Sequence, residues 1–471
     1  MAFEFVFLKT DTLLFVLVAT ALIYAVIALR KEHLRAPWRE VARRPLGMSA
    51  AVVLSVFLGT ALLDSVHLRW AGEEGEPAPP VFQKADLVSI LDLLVAPLKL
   101  NVEKTYSAPF AAYGFSRETV ILGDGATERR FPRLEYGGAH LQEPSAERGA
   151  DLARRAAMGL VLGLLWSGAF VVVSVFLQAR RQSKRWLAVW SALLHGRDER
   201  SWRAVLITFS ALVVIVCELY QLAPVYHVLG TDKTGNDVLY QAIKSVRTGL
   251  LIGTLTTLVM LPFAILLGIA AGYFRGWIDD LIQYLYTTLS SVPGVLLIAA
   301  AALMLEVYMS RHGDSYASLA ARADLRLLAL CMILGVTTWT GLCRYLRGEA
   351  LKLREIDFIA AAKAFGVPRW AILLRHIMPN VMHIVMISIV LDFSGLVLAE
   401  AALTYIDIGV DPSMESWGNM INSARLELAR EPVVWWSLLA AFLFMFTLVL
   451  AANVFADAVR DAFDPRVRGE S

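Results

Sequence analysis

The chain has 471 residues, of which 57% are hydrophobic and only 18% are charged. Soluble globular proteins are closer to half apolar and a quarter charged, so the composition excludes an ordinary soluble domain and predicts a protein that crosses the membrane many times. The formal net charge of +2 gives no reason to expect a nucleic-acid partner. The three cysteines lie in apolar runs without metal-like spacing, and they predict neither a disulfide nor a metal site.

Nine apolar runs are long enough to cross the roughly 30 Å hydrocarbon core, which takes about 20 residues. The expected fold class is therefore an all-α polytopic membrane protein with about nine transmembrane helices. The run 87–100 is too short and carries Asp92 and Pro97, so we expect an interfacial or core helix there. The nine spans are expected at 11–29, 48–66, 156–177, 204–222, 248–273, 281–307, 325–346, 381–404 and 433–455.

Glycines four residues apart recur in several of these runs, and that spacing predicts close helix packing. The pairs are Gly159 with Gly163, Gly249 with Gly253, and Gly268 with Gly272. The first run has no basic segment before it and no small-residue cleavage site, so residues 11–29 are expected to remain as a membrane anchor.

Short basic connections indicate orientation, because lysine and arginine accumulate on the cytoplasmic side. Residues 30–44, 178–203 and 344–375 are basic, which predicts an N-terminus outside and a C-terminus inside. The connection 67–155 is then a sizeable extracytoplasmic insertion of mixed charge. Its β-branched residues near 120–122 and the Gly-Asp-Gly sequence at 123–125 predict that part of it is folded. Docking of a binding protein and buttressing of the core both remain open as its role.

The most informative connection is residues 357–380, which read DFIAAAKAFGVPRWAILLRHIMPN. Apolar and charged residues alternate at helical spacing, and Gly366 with Pro368 interrupts them. The pattern predicts two short amphipathic helices about a turn, lying on a membrane surface or in a partner's groove. Gly366 is expected to adopt the positive φ of a sharp turn. Pro379 is expected to end the second helix, and Asn380 to cap the next span.

Three more motifs accompany this connection: GTDKTGNDVL at 230–239, EAALTYIDIG with VDPSMESWGNM at 400–420, and NVFADAVRDAFDPR at 453–466. Asp232 and Asp237 do not have the alternating ligand spacing of a calcium loop. We therefore favour a structural turn that seats the following helix over a direct contact with a binding protein.

Together these motifs resemble the inner-membrane permeases of binding-protein-dependent ABC importers, and most closely the second permease of the oligopeptide, dipeptide and nickel group. That family carries GTD-x-x-G-R-D-V-L after its first core span, Ala-Ala-x-x-x-Gly with Arg-His-Ile-x-Pro-Asn before its fifth, and a closing Arg-Asp-x-x-Asp-Pro-Arg. The likeness covers 204–466, in order and at matching spacing. This chain departs from the pattern at Ala360, where an acidic residue is frequent, and at Asn236, where the family has arginine.

The resemblance implies a six-helix type I importer core at 204–466, with its transmembrane type-1 domain near 244–456, in a bacterial inner membrane. It implies that residues 357–380 couple the permease to a cytoplasmic ATPase. It also implies that two ATPase subunits, a second permease subunit and an extracytoplasmic binding protein are partners, and that ATP and Mg are bound by the ATPases. The coupling residues are Asp357, Ala361, Ala362, Gly366, Arg375, His376, Pro379 and Asn380; the extracytoplasmic motif residues are Gly230, Thr231, Asp232, Gly235 and Asp237.

Asp392 lies in the middle of an expected span, where a carboxylate costs roughly 3 kcal/mol and should face the bundle interior. It could line the translocation path and meet a cationic substrate. It could equally bond within the bundle, to Ser394 or Thr404, or be protonated. Both interpretations stay open.

The expected organisation is two extra spans in 1–66, the insertion in 67–155, a third extra span with a basic linker in 156–203, and the permease core in 204–466. No phosphate-binding loop, H-E-x-x-H or G-x-S-x-G is present, so the chain is expected to be a transport subunit without a catalytic residue or metal of its own. A self-sufficient transporter or channel is the alternative, and it predicts several intramembrane charges and an internal repeat. The sequence does not identify the substrate or the permease pairing.

Overall fold

The computed structural model describes residues 3–71, 79–83, 87–121, 127–183, 185–194, 201–312 and 318–463. Over these residues the chain forms two compact units. The first contains the residues before Leu8 together with Arg39–Thr248 and Glu415–Ala451. The second contains Leu8–Trp38, Gly249–Met414 and the described residues from Ala452 onward.

Helices dominate both units. In chain order they are α1 (Lys9–Arg30), α2 (Glu32–Arg43), α3 (Pro45–Asp64), α4 (Pro80–Gln83), α5 (Ile90–Leu94), α6 (Ala96–Leu100), α7 (Pro144–Gln182), α8 (Trp186–Leu194), α9 (Trp202–Leu222), α10 (Val238–Phe274), α11 (Trp277–Ser291), α12 (Gly294–Arg311), α13 (Leu319–Thr338), α14 (Thr340–Arg354), α15 (Asp357–Ala364), α16 (Arg369–Ile372), α17 (Met378–Tyr405), α18 (Trp417–Glu427) and α19 (Trp436–Phe463). A π-helical turn, Leu373–Ile377, joins α16 to α17.

Five short strands complete the first unit: β1 (Phe3–Val6), β2 (His67–Trp70), β3 (Val88–Ser89), β4 (Glu118–Ile121) and β5 (Thr127–Arg130). β2 lies between β1 and β3 in an antiparallel sheet, with Phe3 opposite Trp70 and His67 opposite Ser89. β4 and β5 form an antiparallel pair, which agrees with the expected folding near 120–122. Leu122 and the Gly-Asp-Gly sequence at 123–125 lie outside the described residues.

Eight helices in the described ranges are long and apolar enough to cross a membrane. They are Lys9–Arg30, Pro45–Asp64, Pro144–Gln182, Trp202–Leu222, Val238–Phe274, Gly294–Arg311, Arg369–Tyr405 and Trp436–Phe463. Two of the nine expected spans are each divided between two helices. The run 281–307 is broken before Gly294, because Pro293 cannot continue α11. The run 325–346 is divided at Trp339 into α13 and α14, and α13 carries Arg322, Asp324 and Arg326.

In the first unit, α7 packs directly along α9. A Cβ at Gly159 would lie 3.0 Å from the Cα of Glu218, and a Cβ at Gly163 would lie 2.8 Å from the Cα of Val214. Only a residue without a side chain allows the two backbones to come this close. The expected close packing at this glycine pair is confirmed.

The run 87–100 forms β3, α5 and α6, and Leu91, Asp92 and Leu98 are buried, as expected of a core helix. The Asp92 carboxylate lies 2.5 Å from Nζ of Lys244 and 2.7 Å from Nζ of Lys99. Burial opposes its charge, but the two lysines outweigh burial and hold the pKa of Asp92 well below its usual range.

In the second unit, α10, α11, α14 and α17 enclose an apolar core on which the segment 357–380 is built. A Cβ at Gly268 would lie 2.8 Å from the carbonyl oxygen of Cys343, and one at Gly272 would lie 2.6 Å from that of Arg347. A Cβ at Gly253 would lie 2.4 Å from the ring of Phe393. Close packing is therefore confirmed at these glycines as well.

Candidate functional site

The segment 357–380 forms two helical pieces about a turn, as its sequence predicts. Gly366 has φ +71°, and its N–H donates to the carbonyl of Lys363 at 3.0 Å. The N–H of Val367 donates to the carbonyl of Ala362, also at 3.0 Å. This pair of bonds ends α15 in a Schellman motif, which places the left-handed residue directly after the helix. A Cβ at Gly366 would meet no atom within 4 Å, so glycine is required by the backbone conformation and not by crowding.

The two helical pieces and their turn, residues 357–380, form a helical hairpin with one buried face and one exposed face. Ile359, Ile372 and Ile377 are 0% exposed and belong to the apolar core of the second unit. Phe365 and Trp370 are 87% and 68% exposed, on either side of the turn. The inner face therefore fixes the hairpin to the helices, while the outer face presents two large aromatic side chains.

The predicted coupling residues are distributed over both faces. Ala362 is buried, whereas Ala361 is exposed. Asp357 lies exposed in the first turn of α15, where a negative charge suits the helix dipole. Arg375 is exposed and has no ion pair among the described residues. The ring of His376 lies 6.4 Å from that of Phe358.

Further contacts brace the hairpin against the connection between α10 and α11. Arg275 forms an ion pair with Glu355 at 2.8 Å, and Arg354 donates to the carbonyl of Tyr273 at 2.9 Å. Nζ of Lys363 lies 5.4 Å from the centre of the Tyr273 ring. The hairpin is thus tied by charge and ring contacts to the next connection on the same end of the unit.

The expected helix end at Pro379 is wrong. The chain remains helical from Arg369 to Tyr405. The π-helical turn just before Pro379 shifts the hydrogen-bond pattern, so the bond that proline cannot donate does not end the helix. Asn380 does not cap a new helix either: its Nδ2 donates to the carbonyl oxygen of His376 at 2.5 Å. The second half of the hairpin is therefore the continuous beginning of a membrane-crossing helix.

The motif 230–237, which the sequence predicts to lie outside the membrane, is a compact structural turn. Oδ1 of Asp232 accepts from the N–H groups of Thr234 and Asn236 at 2.8 and 2.9 Å. Oδ1 of Asp237 accepts from the N–H of Leu239 at 2.9 Å and so caps α10. This geometry agrees with a turn that seats the following helix. Among the described residues, no group of three or more His, Cys, Asp or Glu side chains is arranged to hold a metal ion.

Residues 103–107 of the insertion pack on this motif. The N–H of Glu103 donates to the carbonyl of Gly235 at 3.0 Å, and the N–H of Thr231 donates to the carbonyl of Ser107 at 3.1 Å. Gly235 has φ +80°, and a Cβ there would lie 1.7 Å from the carbonyl oxygen of Glu103. Gly230 has φ +71°, and a Cβ there would lie 2.5 Å from the carbonyl oxygen of Ser107. Both glycines are required where the two segments touch.

A buried ionic group, which the sequence does not reveal, joins the same two segments. Nδ1 of His227 lies 2.7 Å from Asp237, and its Nε2 lies 3.3 Å from Glu103. Burial opposes the charge on the imidazole, but hydrogen bonds to Asp237 and Glu103 outweigh it and raise the pKa of His227 to about 9.

Glu103 also accepts from the backbone N–H groups of Glu135, Tyr136 and Gly137, each at 2.9 Å. Burial opposes its charge too, but the bond from His227 and these three N–H groups lower its pKa to about 2. Glu103 and His227 are 124 residues apart in the chain, so only the fold could identify them as partners.

Asp392 lies half-buried on α17, and the hydroxyl groups expected to bind it are engaged elsewhere. Oγ of Ser394 donates to Oδ1 of Asn453 at 2.8 Å, and Oγ1 of Thr404 donates to Glu400 at 2.9 Å. The expected bonds from Asp392 to Ser394 or Thr404 are therefore wrong. Over the described ranges, Asp392 has neither a hydrogen bond nor an ion pair.

The sequence matches known transport proteins over about half of its length. The family profile described as binding-protein-dependent transport system inner membrane component matches residues 264–469. The dipeptide transport system permease protein DppC of Lactococcus lactis is 30% identical over 240 residues, which are 51% of this chain and 64% of that protein.

Two further relatives agree. The glutathione transport system permease protein GsiD of Pectobacterium atrosepticum is 30% identical, over 51% of this chain and 73% of that protein. The oligopeptide transport system permease protein OppC of Haemophilus influenzae is 30% identical, over 52% of this chain and 71% of that protein. All three are named as transport permeases and not as enzymes. The chain therefore belongs to the family of inner-membrane permease components of binding-protein-dependent transport systems.

Proposed function

We propose that this permease subunit forms, with a second permease subunit, the translocation path of an ATP-driven importer for peptides or similar small solutes. The relatives carry peptide substrates in their names, namely dipeptide, oligopeptide and glutathione, and this supports the substrate class. An extracytoplasmic binding protein delivers the solute, and two cytoplasmic ATPase subunits bind the ATP and Mg. The chain itself binds no cofactor in this proposal.

The observation that carries the proposal is the two-faced hairpin at 357–380. A rigid inner face with three fully buried isoleucines keeps the hairpin on the helix bundle. The exposed Phe365 and Trp370 suit a groove in a partner, because large aromatic anchors dominate the energy of such interfaces. The partner is the ATPase subunit, whose closure pushes on this face.

Movement of the hairpin is passed directly to a membrane-crossing helix. Because the chain stays helical through Pro379 into α17, displacement at Trp370 moves α17 without a loop to absorb it. Gly366 fixes the angle between α15 and α16, and Arg375 provides a positive charge near the contact. The eight coupling residues thus move together with α17 as one rigid segment.

In this proposal the hairpin faces the cytoplasm of a bacterial cell. The hairpin lies next to the basic residues Arg344, Arg347 and Arg354, and basic connections favour the cytoplasmic side. The N-terminus is then outside the inner membrane and the C-terminus inside. The motif 230–237 lies outside, where it seats α10 and holds the insertion.

Deleting residues 366–368 tests the coupling. In proteoliposomes with the partner ATPases and binding protein, we expect ATP hydrolysis to continue while uptake is lost. Gly348→Ala is the matched control, because a Cβ at this glycine on α14 meets no atom within 4 Å and uptake should be kept. Full uptake by the deletion variant would refute the coupling role. Uptake by the unaltered chain without any ATPase would instead show a self-sufficient transporter.

A further inference from the structure

Two apolar cavities lie beside α8 in the first unit, one bordered also by α7 and α9 and the other bordered also by α7. One has a volume of about 430 Å³ and includes Val171, Leu206 and Arg203 in its lining. The other has a volume of about 490 Å³ and is lined by Val172, Val175, Phe176, Trp186 and Trp190. Trp190 lines both cavities, so the two are neighbours, and together they are called the α8 cleft.

The helix that covers this cleft has the composition of a membrane-interface helix. α8 has nine residues, so it is only about 13 Å long and cannot cross the bilayer. Its Trp186 and Trp190 are 59% and 37% exposed, and tryptophan prefers the level of the lipid headgroups. Val189 and Leu193 are buried against α7 and α9 and hold α8 in place. The cleft therefore opens at the boundary between headgroups and acyl chains.

An arginine lines the first cavity, and another stacks on a ring that lines the second. Arg203, exposed at the start of α9, lines the first cavity. The Arg180 guanidinium lies 5.1 Å from the ring centre of Phe176, which lines the second. Among the described residues, no carboxylate forms an ion pair with Arg203. A cleft with apolar walls and cationic rims matches a molecule that has apolar chains and a negative head.

We propose that this cleft binds one anionic phospholipid, whose acyl chains fill the two cavities and whose phosphate contacts Arg203. The lipid fastens α8 to the pair formed by α7 and α9, since its chains contact all three helices. This site belongs to the part of the chain before 204, and it does not depend on the substrate or on the coupling role of the hairpin.

Native mass spectrometry of the purified full-length chain tests the proposal with two probes, phosphatidylglycerol and phosphatidylcholine with the same acyl chains. The wild-type chain should retain phosphatidylglycerol preferentially. Arg203→Gln should weaken phosphatidylglycerol retention about tenfold, since a charged hydrogen bond to phosphate is lost, and should leave phosphatidylcholine unchanged. Arg30→Gln is the control, because Arg30 is exposed at the end of α1 without such a cleft.

A second variant tests the cavities without changing charge. Val172→Trp places a large side chain in the second cavity and should weaken retention of both lipids. An unchanged elution volume and thermal midpoint in detergent would show that the variant is folded. Equal retention of the two lipids by the wild-type chain, or unchanged retention in both variants, would overturn the proposal.

Discussion

Nδ1 of His227 lies 2.7 Å from the Asp237 carboxylate that caps α10, while Nε2 of the same ring faces Glu103 of the insertion at 3.3 Å. One buried imidazolium therefore joins the turn at 230–237 to a residue of the segment 67–155. The three side chains are at most 4% exposed, so water does not replace these contacts. This ionic bridge supports a buttress role for the insertion.

The bridge makes stability depend on pH. Because folding raises the pKa of His227 from 6.5 to about 9, its contribution is complete below about pH 6.5 and disappears as pH rises to 9. Glu103, whose pKa falls from 4.5 to about 2, contributes above about pH 4.5 and loses its contribution as pH falls to 2. We therefore expect the thermal midpoint of the wild-type chain to fall between pH 6.5 and 9.

Replacing the imidazole tests the source of this slope. His227→Gln should cost roughly 3 kcal/mol at pH 6, because two buried carboxylates lose their cation, and it should flatten the pH profile between 6.5 and 9. His312→Gln, at an exposed histidine, should keep the wild-type profile. A His227→Gln profile parallel to wild type would assign the slope to other groups.

The contact between Gly235 and Glu103 predicts a second sensitivity. Gly235→Ala should release the insertion from the motif, since the new Cβ would lie 1.7 Å from the carbonyl oxygen of Glu103 in addition to the strain at φ +80°. Limited proteolysis should then cut near residues 101–107 several times faster. Gly341→Ala, which faces open space on α14, should leave the rate unchanged. Equal rates in the two variants would contradict this packing.

Sequence patterns predict features that depend on neighbours along the chain. The hairpin turn at Gly366 and the close approach at Gly159 and Gly163 belong to this class, because backbone conformation and missing side chains are local properties. The link from Glu103 to His227 depends on which distant segments meet. The helix that continues through Pro379 depends on a π-helical turn, which relieves the usual effect of proline and has no sequence signature here.

The exposed aromatic residues of the hairpin predict a separation of binding from stability. Phe365→Ala and Trp370→Ala should each weaken association with the ATPase subunit by about 30-fold, which corresponds to about 2 kcal/mol for an interface anchor. The thermal midpoint of the isolated chain should change little, because both side chains are mostly exposed. Co-purification at graded salt and detergent concentrations, followed by titration calorimetry, measures the two effects.

Two control variants separate the effect on ATPase association from the effect on stability. Tyr345→Ala removes a 71% exposed aromatic side chain on α14 and should leave ATPase association intact. Ile372→Ala removes a fully buried side chain and should cost about 2–5 kcal/mol of stability. If Tyr345→Ala weakened association as much as Trp370→Ala, the contact would not be centred on the hairpin.

Asp324 holds the first helix on the second unit. Its carboxylate is 2% exposed and accepts from the N–H groups of Lys9 and Thr10 at 2.9 and 3.3 Å. Asp324→Ala should cost about 1–2 kcal/mol through loss of these capping bonds and should free the start of α1. Faster cleavage near residue 9 by a protease would show this. Asp280→Ala, at an exposed carboxylate on α11, should not change the cleavage rate.

Asp392 provides the sharpest question about the translocation path. In a membrane-crossing helix, a charged carboxylate with no hydrogen bond or ion pair over the described ranges is costly. Asp392 is therefore either protonated or in contact with water or a charged substrate. Asp392→Asn keeps the size of the side chain and removes its charge. If Asp392 lines the path, KM for a cationic peptide should rise about tenfold, while KM for a neutral peptide of the same length stays the same.

Ser394→Ala is the matched control for Asp392→Asn. It removes the bond to Asn453 at 2.8 Å, so it should lower stability by about 1 kcal/mol without changing KM for one peptide more than for the other. Equal KM changes for both peptides in Asp392→Asn would exclude a charge contact with the substrate.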